Sequence, residues 1–600
     1  MPKYFVAAAV VFLGLAGIAL ADEPAKGSLP VAANDDALVG RKLDGFTLRD
    51  QHGNPHALAD YQAKKAVALV YLGTECPLAR LYAPRLAQMA RDYAAKEVAF
   101  LGVDANVQDT PTELVAFANM YQMEFPLLID AGNALADKLG ATRTPEVFLL
   151  DAQGVVRYHG RIDDQYVVGA THEKAQHRDL ATAIDELVAG QPVATPSTKF
   201  TGCLISKVRK IEPHGEITYS GNVAAIINRH CVECHREGEL APFPLATYDD
   251  VAPWADTIRE VVSQHRMPPW FADPAFGKFT NDCSMSADDT QTLLAWIDNG
   301  CPQGNPADVP PAPEFYTGWR MGEPDLVYEM EKPYTVPAEG TVEYQYFTVG
   351  PKLEKDLWVS IAECRPGNAR VVHHVVLFAV PPGEKLAKLE EAQGRGQMIG
   401  VYAPGMNPWR YPAGTAMKIV AGSTLVIQMH YTPNGFEQSD KSMVALKLLE
   451  PDDVKQEVRY GMVVNPSFEI PPHAENHVAE ARKLFLKDSY VLNLFPHMHY
   501  RGKSFKFEAE FPDGRREVLL NVPHYDFNWQ LRYDLAKPVF MPKGSRLVCT
   551  AVWDNSDANP LNPDPSQTVR FGLQSWEEMM VGYYTTIRAP VGEETARAGE

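Results

Sequence analysis

The pattern of apolar residues changes twice along the 600-residue chain, and these changes limit the possible folds more than any single motif. From about residue 38 to residue 190, apolar runs at 66–72, 98–103 and 147–150 alternate with helical stretches, which predicts an α/β sheet. From about residue 218 to residue 304, short helices replace the strands. After a Pro-rich segment at 306–313, alternating runs such as 425–431, 490–494 and 547–553 with Gly, Pro and Asn turns predict an all-β region.

The first 21 residues have the pattern of a signal peptide. Met1, Pro2 and Lys3 precede an apolar run over residues 4–20, which ends in a small-residue cleavage site at 19–21. We expect cleavage before Asp22, with a membrane anchor as the alternative. No later segment has the roughly 20 apolar residues of a membrane helix. The sequence therefore predicts an exported protein, periplasmic or extracellular, with no membrane span after cleavage.

Charge and cysteine content narrow the possible partners and the compartment. The net charge of −20 at pH 7 argues against nucleic acid and anionic membranes as partners. In an oxidising compartment an even number of cysteines indicates disulfides first, although their pairing cannot be deduced from sequence. The eight cysteines are Cys76, Cys203, Cys231, Cys234, Cys283, Cys301, Cys364 and Cys549.

Residues 231–235 read C-V-E-C-H, the motif that attaches a c-type haem. The thiols of Cys231 and Cys234 would bind the haem vinyl groups, and His235 would be an axial ligand of the iron. A disulfide or a zinc site is the alternative, but no further zinc ligands follow at regular spacing.

The same segment resembles the small cytochrome c domains that are fused to other bacterial oxidoreductase modules. The resemblance implies that Met267, in QHRMPPWFADP, is the second axial ligand, with Met285 and His265 as alternatives. Cys283 and Cys301 are left as candidates for a disulfide in this domain.

Histidine is scarce at 17 residues, yet five histidines cluster on apolar strands of the all-β region: His373, His374, His430, His497 and His499. Imidazole favours copper or zinc, and a thioether such as that of Met579 favours Cu(I). Residues i and i+2 of a strand face one side, so His497 and His499 can bind one ion. His373 and His374 would need either a bulge or ligation through different ring nitrogens to do so. For each site taken alone, a polar pair at a strand edge is the alternative.

The order HH, MHY, HxH and EM resembles the copper type II ascorbate-dependent monooxygenases over about residues 326–584. The surrounding segments KDLWVSIAECRP, YAPGMNPWRYPAGTAMKI and GSRLVCTAVWDN share the resemblance. It implies an electron-transfer copper on His373, His374 and His430, and an oxygen-binding copper on His497, His499 and Met579. It also implies two β-sandwich lobes with a solvent-filled cleft between the separated coppers.

The chain departs from this family where the peptide-hydroxylating members bind the substrate carboxylate. An Arg, an Asn and a Tyr do so there, and the matching positions here hold Phe495, Val581 and Tyr583. Of these three positions, Tyr583 keeps the Tyr of the family, and it is a candidate catalytic residue together with His497, His499 and Met579. Loss of the bidentate Arg removes the strongest carboxylate anchor. We expect a small apolar or aromatic substrate, and poor turnover of peptides that end in glycine.

In the N-terminal segment, LGTECP follows an apolar run and begins a helix, and Thr144-Pro145 precedes EVFLL. A Cys at a helix N-terminus has a stabilised thiolate, and a facing Pro is the usual cis position of thioredoxin-like proteins. The segment resembles the redoxin or peroxiredoxin-like family over about residues 38–190. Ala79 replaces the second Cys of C-x-x-C, and Leu69 and Gly73 break the peroxiredoxin motif. Cys203 is a candidate resolving thiol for Cys76; a structural disulfide or two inert thiols are the alternatives.

Together these patterns predict a multidomain chain. Its parts are a signal peptide (1–21), an α/β thioredoxin-like domain (38–200), a small all-α cytochrome c domain (211–305), a Pro-rich linker (306–325), two all-β sandwich lobes of a copper monooxygenase (326–455 and 456–590) and a tail (591–600).

The main hypothesis is an exported copper-dependent monooxygenase with two copper ions and one covalent haem c. It would hydroxylate a C–H bond of a small, apolar substrate with O2. Electrons would come through the haem, supplied by an external donor, either ascorbate or a redox protein. The alternative is a non-catalytic copper-binding or copper-sensing protein, or a thiol-disulfide redox protein in which the thioredoxin-like domain is the active part.

Overall fold

A computed structural model describes residues 38–589 of the protein, except 168–169, 173, 240, 317 and 385–387. The predicted signal peptide and tail lie outside the described residues. The described chain forms an α/β domain, a helical domain and a large β region, in that order. None of the described helices is long and apolar enough to cross a membrane.

The α/β domain is built on a seven-stranded sheet flanked by helices. Its strands are β1 Thr47–Asp50, β2 Pro55–Ala57, β3 Ala66–Leu72, β4 Val98–Asp104, β5 Leu127–Ile129, β6 Arg143–Thr144, β7 Glu146–Asp151, β8 Val156–Gly160, β9 Tyr166–Val167, β10 Ala170–Thr171 and β11 Cys203–Leu204. Its helices are α1 Pro77–Ala94, α2 Pro111–Met120, α3 Ala134–Leu139 and α4 Asp179–Val188. The sheet order is β2-β1-β5-β4-β3-β7-β8, with β3 parallel to β4 and antiparallel to β7.

The central strands of this sheet are buried on both faces. Every residue of β3 and β4 is buried. Alternate side chains of β3 enter two cores, one containing α1, α2 and α4 and the other containing α3. A strand covered on both faces needs an apolar side chain at each position. The predicted strands at 66–72, 98–103 and 147–150 are confirmed.

Four helices form the helical domain: α5 Ala224–His230, α6 Tyr248–Val251, α7 Ala255–Ser263 and α8 Ala287–Asp298. They pack around the fully buried Trp296 and the nearly buried Trp254. The indole N–H of Trp296 donates to the Pro302 carbonyl at 3.1 Å, which satisfies its polar atom inside the core.

The first β lobe, residues 326–455, packs two sheets face to face. Its elements are β12 Leu326–Glu329, β13 Tyr334–Val336, β14 Gln345–Thr348, β15 Leu357–Arg365, β16 Val372–Val380, α9 Ala392–Arg395, β17 Gln397–Tyr402, β18 Trp409–Arg410, β19 Thr415–Ile419, β20 Thr424–Tyr431, β21 Gln438–Asp440 and β22 Met443–Leu448. One sheet has the order β14-β20-β16-β17, and the other contains β12-β22-β15-β19. Apolar residues of both sheets share one core.

The second β lobe, residues 456–589, repeats this arrangement. Its strands are β23 Gln456–Val464, β24 Glu469–Ile470, β25 His477–Leu484, β26 Ser489–His497, β27 Gly502–Glu510, β28 Arg516–Val522, β29 Tyr533–Met541, β30 Arg546–Trp553, β31 Val569–Arg570 and β32 Val581–Arg588. One sheet is β25-β30-β27-β28, and the other contains β23-β32-β26-β29. Strands β19 and β23 pair in parallel, so one continuous sheet runs through both lobes.

Contacts between domains involve all parts of the described chain. Arg143 of the α/β domain pairs with Glu260 of the helical domain at 2.7 Å. The rings of Tyr121 and Phe436 lie 4.8 Å apart between the α/β domain and the first lobe. Phe279 of the helical domain forms a β-bridge with Leu535 of the second lobe.

Candidate functional sites

Three histidines converge on the neighbouring strands β16 and β20. His374 lies directly opposite His430, and the register shifts between Val372 and His374. This irregularity is the bulge that allows His373 to face the same way as its neighbour. One ring nitrogen from each of the three histidines lies within 4.8 Å of the others.

The spacing of these nitrogens suits a single metal ion. The Nδ1 atom of His373 is 3.4 Å from that of His374 and 3.2 Å from that of His430. Ligands at about 2.0–2.1 Å in a tetrahedral arrangement would be about 3.3 Å apart. The Nε2–H of His374 donates to Gln428 Oε1 at 3.2 Å, which leaves Nδ1 of His374 for the ion.

Burial keeps these imidazoles neutral, the form that binds metals. It lowers the pKa of His373 to about 4, and it lowers those of His374 and His430 well below their usual range.

His497 and His499 form a second set at the end of β26, with ring centroids 5.2 Å apart. The Nδ1–H of His497 donates to Gln530 Oε1 at 2.5 Å, and Nδ1 of His499 is 3.3 Å from the Glu577 carbonyl oxygen. Both residues therefore present Nε2, and that of His499 is buried without a hydrogen-bond partner. This set offers Nε2 atoms, whereas the first set offers Nδ1 atoms.

Met579 is buried just before β32, and a neighbouring carboxylate links it to the second histidine set. Glu578 accepts hydrogen bonds from the backbone N–H groups of His499 at 2.9 Å and of Met579 at 3.3 Å. It also accepts from the Arg501 backbone at 2.6 Å and from the Trp553 indole at 3.0 Å. Glu578 is the Glu of the EM pattern, and its role was not predicted from the sequence; its signal is its position directly before Met579.

The two histidine sets approach each other around one aromatic ring. Phe527 stacks on His373 with centroids 4.9 Å apart and planes 10° apart, and its centroid is 6.1 Å from that of His499. Phe527 is buried, at 3% exposure. The resemblance implied a solvent-filled cleft; the structure differs, because the loop between β28 and β29 inserts Phe527 between the sets.

A cavity of about 40 Å³ lies beside His497 and His499, and residues of both lobes line it. Its apolar lining includes Val376, Phe378, Val401 and Phe495. Tyr583 also lines it, and Val581 is buried opposite His497 in the pairing of β26 with β32. The positions that differ from the peptide-hydroxylating enzymes thus lie at or next to the cavity.

The C-V-E-C-H segment forms a tight turn after α5. The backbone N–H groups of Cys234 and His235 both donate to the Cys231 carbonyl, at 3.1 and 2.9 Å. The Nδ1 atom of His235 is 3.1 Å from the Phe243 carbonyl oxygen, so Nε2 is left for an iron. The thiols of Cys231 and Cys234 are both free.

The candidate second ligands of this iron lie further along the domain. Met267 is half-buried beyond the end of α7, and its backbone N–H bonds the Val261 carbonyl at 3.2 Å. Met285 packs against the helical core, and His265 has a positive φ of 54°. The role of Met267 stays a prediction.

All eight cysteines are unpaired in the structure. Cys283 is exposed, whereas Cys301 is buried in the helical core, so the structure does not contain the proposed Cys283–Cys301 disulfide. Cys364 and Cys549 lie in the separate cores of the two β lobes.

Cys76 occupies the N-cap of α1, opposite a cis Thr144–Pro145 bond. Its sulfur accepts from the Ala79 backbone N–H at 3.4 Å, and its thiol donates to the Thr144 carbonyl at 3.0 Å. Strand β11 pairs with β6 so that Cys203 lies opposite Thr144. The candidate thiols are therefore brought together, although 127 positions separate them in sequence (203 − 76).

The two thiols differ in acidity. Burial alone would raise the pKa of Cys76, but hydrogen bonds with the side chains of Cys203 and Thr144 and with the Ala79 backbone outweigh it and lower the pKa to about 6. The hydrogen bond to Cys76, together with burial, raises the pKa of Cys203 well above its usual range. Cys76 is thus the more acidic thiol of the pair, and Cys203 holds its proton more tightly.

Comparisons with known proteins concern this N-terminal domain. A family model described as the AhpC/TSA family matches residues 39–159. The thiol-disulfide oxidoreductase ResA of Geobacillus thermodenitrificans is 30% identical over 119 residues, which are 20% of this chain and 67% of ResA. The chain thus spans about two thirds of that relative.

Two further proteins are similar to the chain. A protein of Mycobacterium tuberculosis named as a peroxiredoxin is 28% identical over 150 residues, 24% of this chain and 94% of that protein. A crystal structure from Sinorhizobium meliloti 1021 is 28% identical, with a TM-score of 0.28, and the match covers 29% of this chain and 97% of that chain.

Proposed function

The chain belongs to the AhpC/TSA family through residues 39–159, and we propose that this redoxin domain is part of an exported, multidomain redox enzyme with a copper-dependent monooxygenase centre in its β lobes. The reaction would hydroxylate a C–H bond of a small, apolar substrate with O2. The observation that carries this proposal is the convergence of three Nδ1 atoms: that of His373 lies 3.4 Å from that of His374 and 3.2 Å from that of His430. Beside them, the second histidine set offers Nε2 atoms.

The donor set favours copper over other ions. Neutral imidazoles suit copper and zinc, and the Met579 thioether selects Cu(I) over hard cations. Copper, when bound, would supply one-electron redox chemistry and activation of O2. Three histidines without a thioether fit an electron-transfer site, and the pair next to the cavity fits the oxygen site.

The residues around the second set would position a substrate and exclude water. Gln530 and the Glu577 carbonyl hold the rings of His497 and His499 in the orientation that exposes Nε2. The apolar side chains of both lobes would limit the access of bulk water to the cavity and so reduce side reactions there. Phe495 and Val581 provide no carboxylate anchor, so peptides ending in glycine are expected to be poor substrates.

Metal and haem analysis of the exported protein tests this proposal. We expect two coppers and one haem per chain, and one copper in His499→Ala because only the second set is damaged. His473→Ala is the matched control, since this exposed histidine pairs with Asp557 at the surface. Copper-free wild-type protein, or an unchanged copper content in His499→Ala, would contradict the proposal. Efficient hydroxylation of a glycine-terminated peptide would contradict the substrate class.

The haem site would supply electrons to the copper held by His373, His374 and His430. Cys231 and Cys234 would hold the haem covalently, and the Nε2 atom of His235 would be available to its iron, which supplies one-electron transfer when bound. Ascorbate or a redox protein would be the external donor. The absorption spectrum of the exported protein checks this part: a c-type haem spectrum is expected in wild-type protein and its loss in Cys231→Ala.

A second function, thiol-disulfide exchange, is favoured by the relatives of the N-terminal domain and by the proximity of the Cys76 and Cys203 thiols. The Cys76 thiolate would attack a substrate disulfide, form a mixed disulfide and release one substrate thiolate. Cys203 would then lose its proton and attack the Cys76 sulfur, releasing the second thiolate. The enzyme dithiol is oxidised by two electrons and the substrate disulfide is reduced.

Trapping experiments test this second function. Reduced wild-type protein should react with oxidised glutathione and end with an internal disulfide. Cys203→Ser should stop at a mixed disulfide with Cys76, because the second attack is lost, and Cys76→Ser should remain unmodified at this site. Mass spectrometry distinguishes the products. A stable glutathione adduct on Cys76 of the wild-type protein would exclude Cys203 as the resolving thiol.

A further inference from the structure

Gln530 is a buried amide at the cavity with one end unused. It is 5% exposed and lines the cavity beside His497. Its Oε1 accepts from His497 Nδ1 at 2.5 Å. Its Nε2 has no hydrogen-bond partner among the described residues. A buried, unpaired N–H donor costs free energy until an acceptor reaches it.

The orientation of this amide follows from the role of its neighbour. A metal-binding His497 that presents Nε2 carries its proton on Nδ1, and this proton needs an acceptor. The oxygen of Gln530 must therefore face His497, and its NH2 group is left for another partner. This step rests on the proposed copper function.

The other uncharged polar groups of the cavity have partners already. Gln428 accepts from His374 and donates to the Tyr346 hydroxyl at 2.6 Å. The Tyr344 hydroxyl is 3.4 Å from Ser575 Oγ. Among the residues that the structure describes, no Lys, Arg, Asp or Glu lines the cavity. A charged ligand group would therefore lose its hydration without gaining an ion pair.

The cavity has space for the end of a small molecule. Its 40 Å³ compares with about 10–15 Å³ for one water molecule, so about three non-hydrogen atoms fit inside. Leu573 at its edge is 39% exposed, so a larger body can extend towards solvent there.

We propose that Gln530 is a specificity-determining residue, whose amide N–H donates to a neutral oxygen acceptor on an otherwise apolar substrate. A carbonyl or ether oxygen would satisfy the donor, and a pure hydrocarbon of the same shape would leave it unpaired. Sites built to bond a polar group reject analogues that lack it. The substrate class is thus a neutral, oxygen-bearing apolar molecule, rather than a hydrocarbon or a carboxylate.

Calorimetric binding of three matched probes tests this inference on copper-loaded and copper-free full-length protein. Acetophenone carries a carbonyl, α-methylstyrene replaces it with a C=CH2 group, and benzoate carries a charge. We expect acetophenone to bind about tenfold more tightly than α-methylstyrene, and benzoate to bind more weakly than acetophenone. Gln530→Leu should remove the preference for acetophenone, and Gln88→Leu, which changes an exposed amide on α1 outside the cavity lining, should keep it.

Copper content is measured separately for every protein, so the two proposals can fail independently. Absence of copper would contradict the monooxygenase function, whereas probe selectivity decides the role of Gln530. The inference is overturned if wild-type protein shows no preference for acetophenone, through equal binding or no binding, or if benzoate binds more tightly. Retention of the preference in Gln530→Leu also overturns it.

Discussion

At the scale of single residues, the two histidine sets differ in which ring nitrogen they offer. In the first set, Gln428 engages Nε2 of His374, whereas in the second set Gln530 engages Nδ1 of His497. A glutamine oxygen thus selects the tautomer in each set. The same residue type therefore builds two different sites.

The acidity of Cys76 is a prediction at this scale. We expect the ultraviolet absorbance of its thiolate to rise with a midpoint near pH 6 in reduced protein, because hydrogen bonds outweigh burial. Cys203→Ala should move the midpoint towards that of a free thiol, since it removes a hydrogen bond to the thiolate. Cys203→Ser keeps a hydroxyl donor and should move it less. A wild-type midpoint typical of free cysteine would exclude the redox role of Cys76.

At the scale of elements, two acidic residues, Glu75 and Asp109, lie near the start of α1, where Cys76 is the N-cap. Asp109 accepts from the Thr74 backbone N–H and from its hydroxyl, both at 2.8 Å, and fixes the turn before the helix. Burial, followed by the charge of Asp109, raises the pKa of Glu75 from 4.5 to about 7.

The raised pKa of Glu75 predicts how stability depends on pH. The folded protein favours the protonated carboxyl, so this contribution is fully present below pH 4.5 and is lost as pH rises through about 7. The wild-type protein should lose stability between pH 5 and pH 8, whereas Glu75→Gln should not lose this contribution. We therefore expect the free energy of unfolding of Glu75→Gln to increase relative to that of wild type over this range. Glu97→Gln, at a carboxylate 58% exposed, is the control. A constant difference across this range would contradict the assignment.

Glu578 connects two elements of the second lobe, β32 and the turn after β26. Glu578→Ala would leave four buried donors without an acceptor, and we expect a loss of about 3–5 kcal/mol in the free energy of unfolding of the β region. Glu457→Ala, which removes a surface partner of Arg459, should change it by less than about 0.5 kcal/mol. Denaturant titration followed by tryptophan fluorescence measures both, and similar values would contradict the structural role of Glu578.

How much of this could be predicted from sequence differs between elements. The strands at 66–72 and 425–431 could be predicted because their apolar patterns match their burial. The bulge at His373 could be stated only as one of two ways for His373 and His374 to share an ion, since strand register depends on the partner strand. Phe527 and Gln530 could not be placed, because they lie in a loop without periodicity whose position is set by packing between the lobes.

At the scale of the whole molecule, the thiol pair lies at a junction between domains. Arg143 donates to the Gly202 carbonyl at 2.8 Å, next to Cys203, and to Glu260 of the helical domain at 2.7 Å. Arg266, one residue before the candidate haem ligand, bonds the same carboxylate at 2.6 Å. One partly buried carboxylate thus joins the thiol segment to the segment of Met267.

This junction predicts how the first two domains unfold. The Arg143 and Glu260 side chains are 9% and 16% exposed, and Glu260→Ala would leave Arg143 and Arg266 without their shared carboxylate, at a cost of about 3 kcal/mol to the interface. In Glu260→Ala, we expect calorimetry to show a lower unfolding temperature for the helical domain. Its unfolding transition should separate from that of the α/β domain, because the ion pair that couples the two domains is broken. Lys210→Ala removes a surface partner of Asp137, its own side chain being 80% exposed, and should leave the profile unchanged. If Glu260→Ala and Lys210→Ala both unfold like wild type, the ion pair does not couple the unfolding of the two domains. The thiol pair and the haem segment would then unfold independently of this contact.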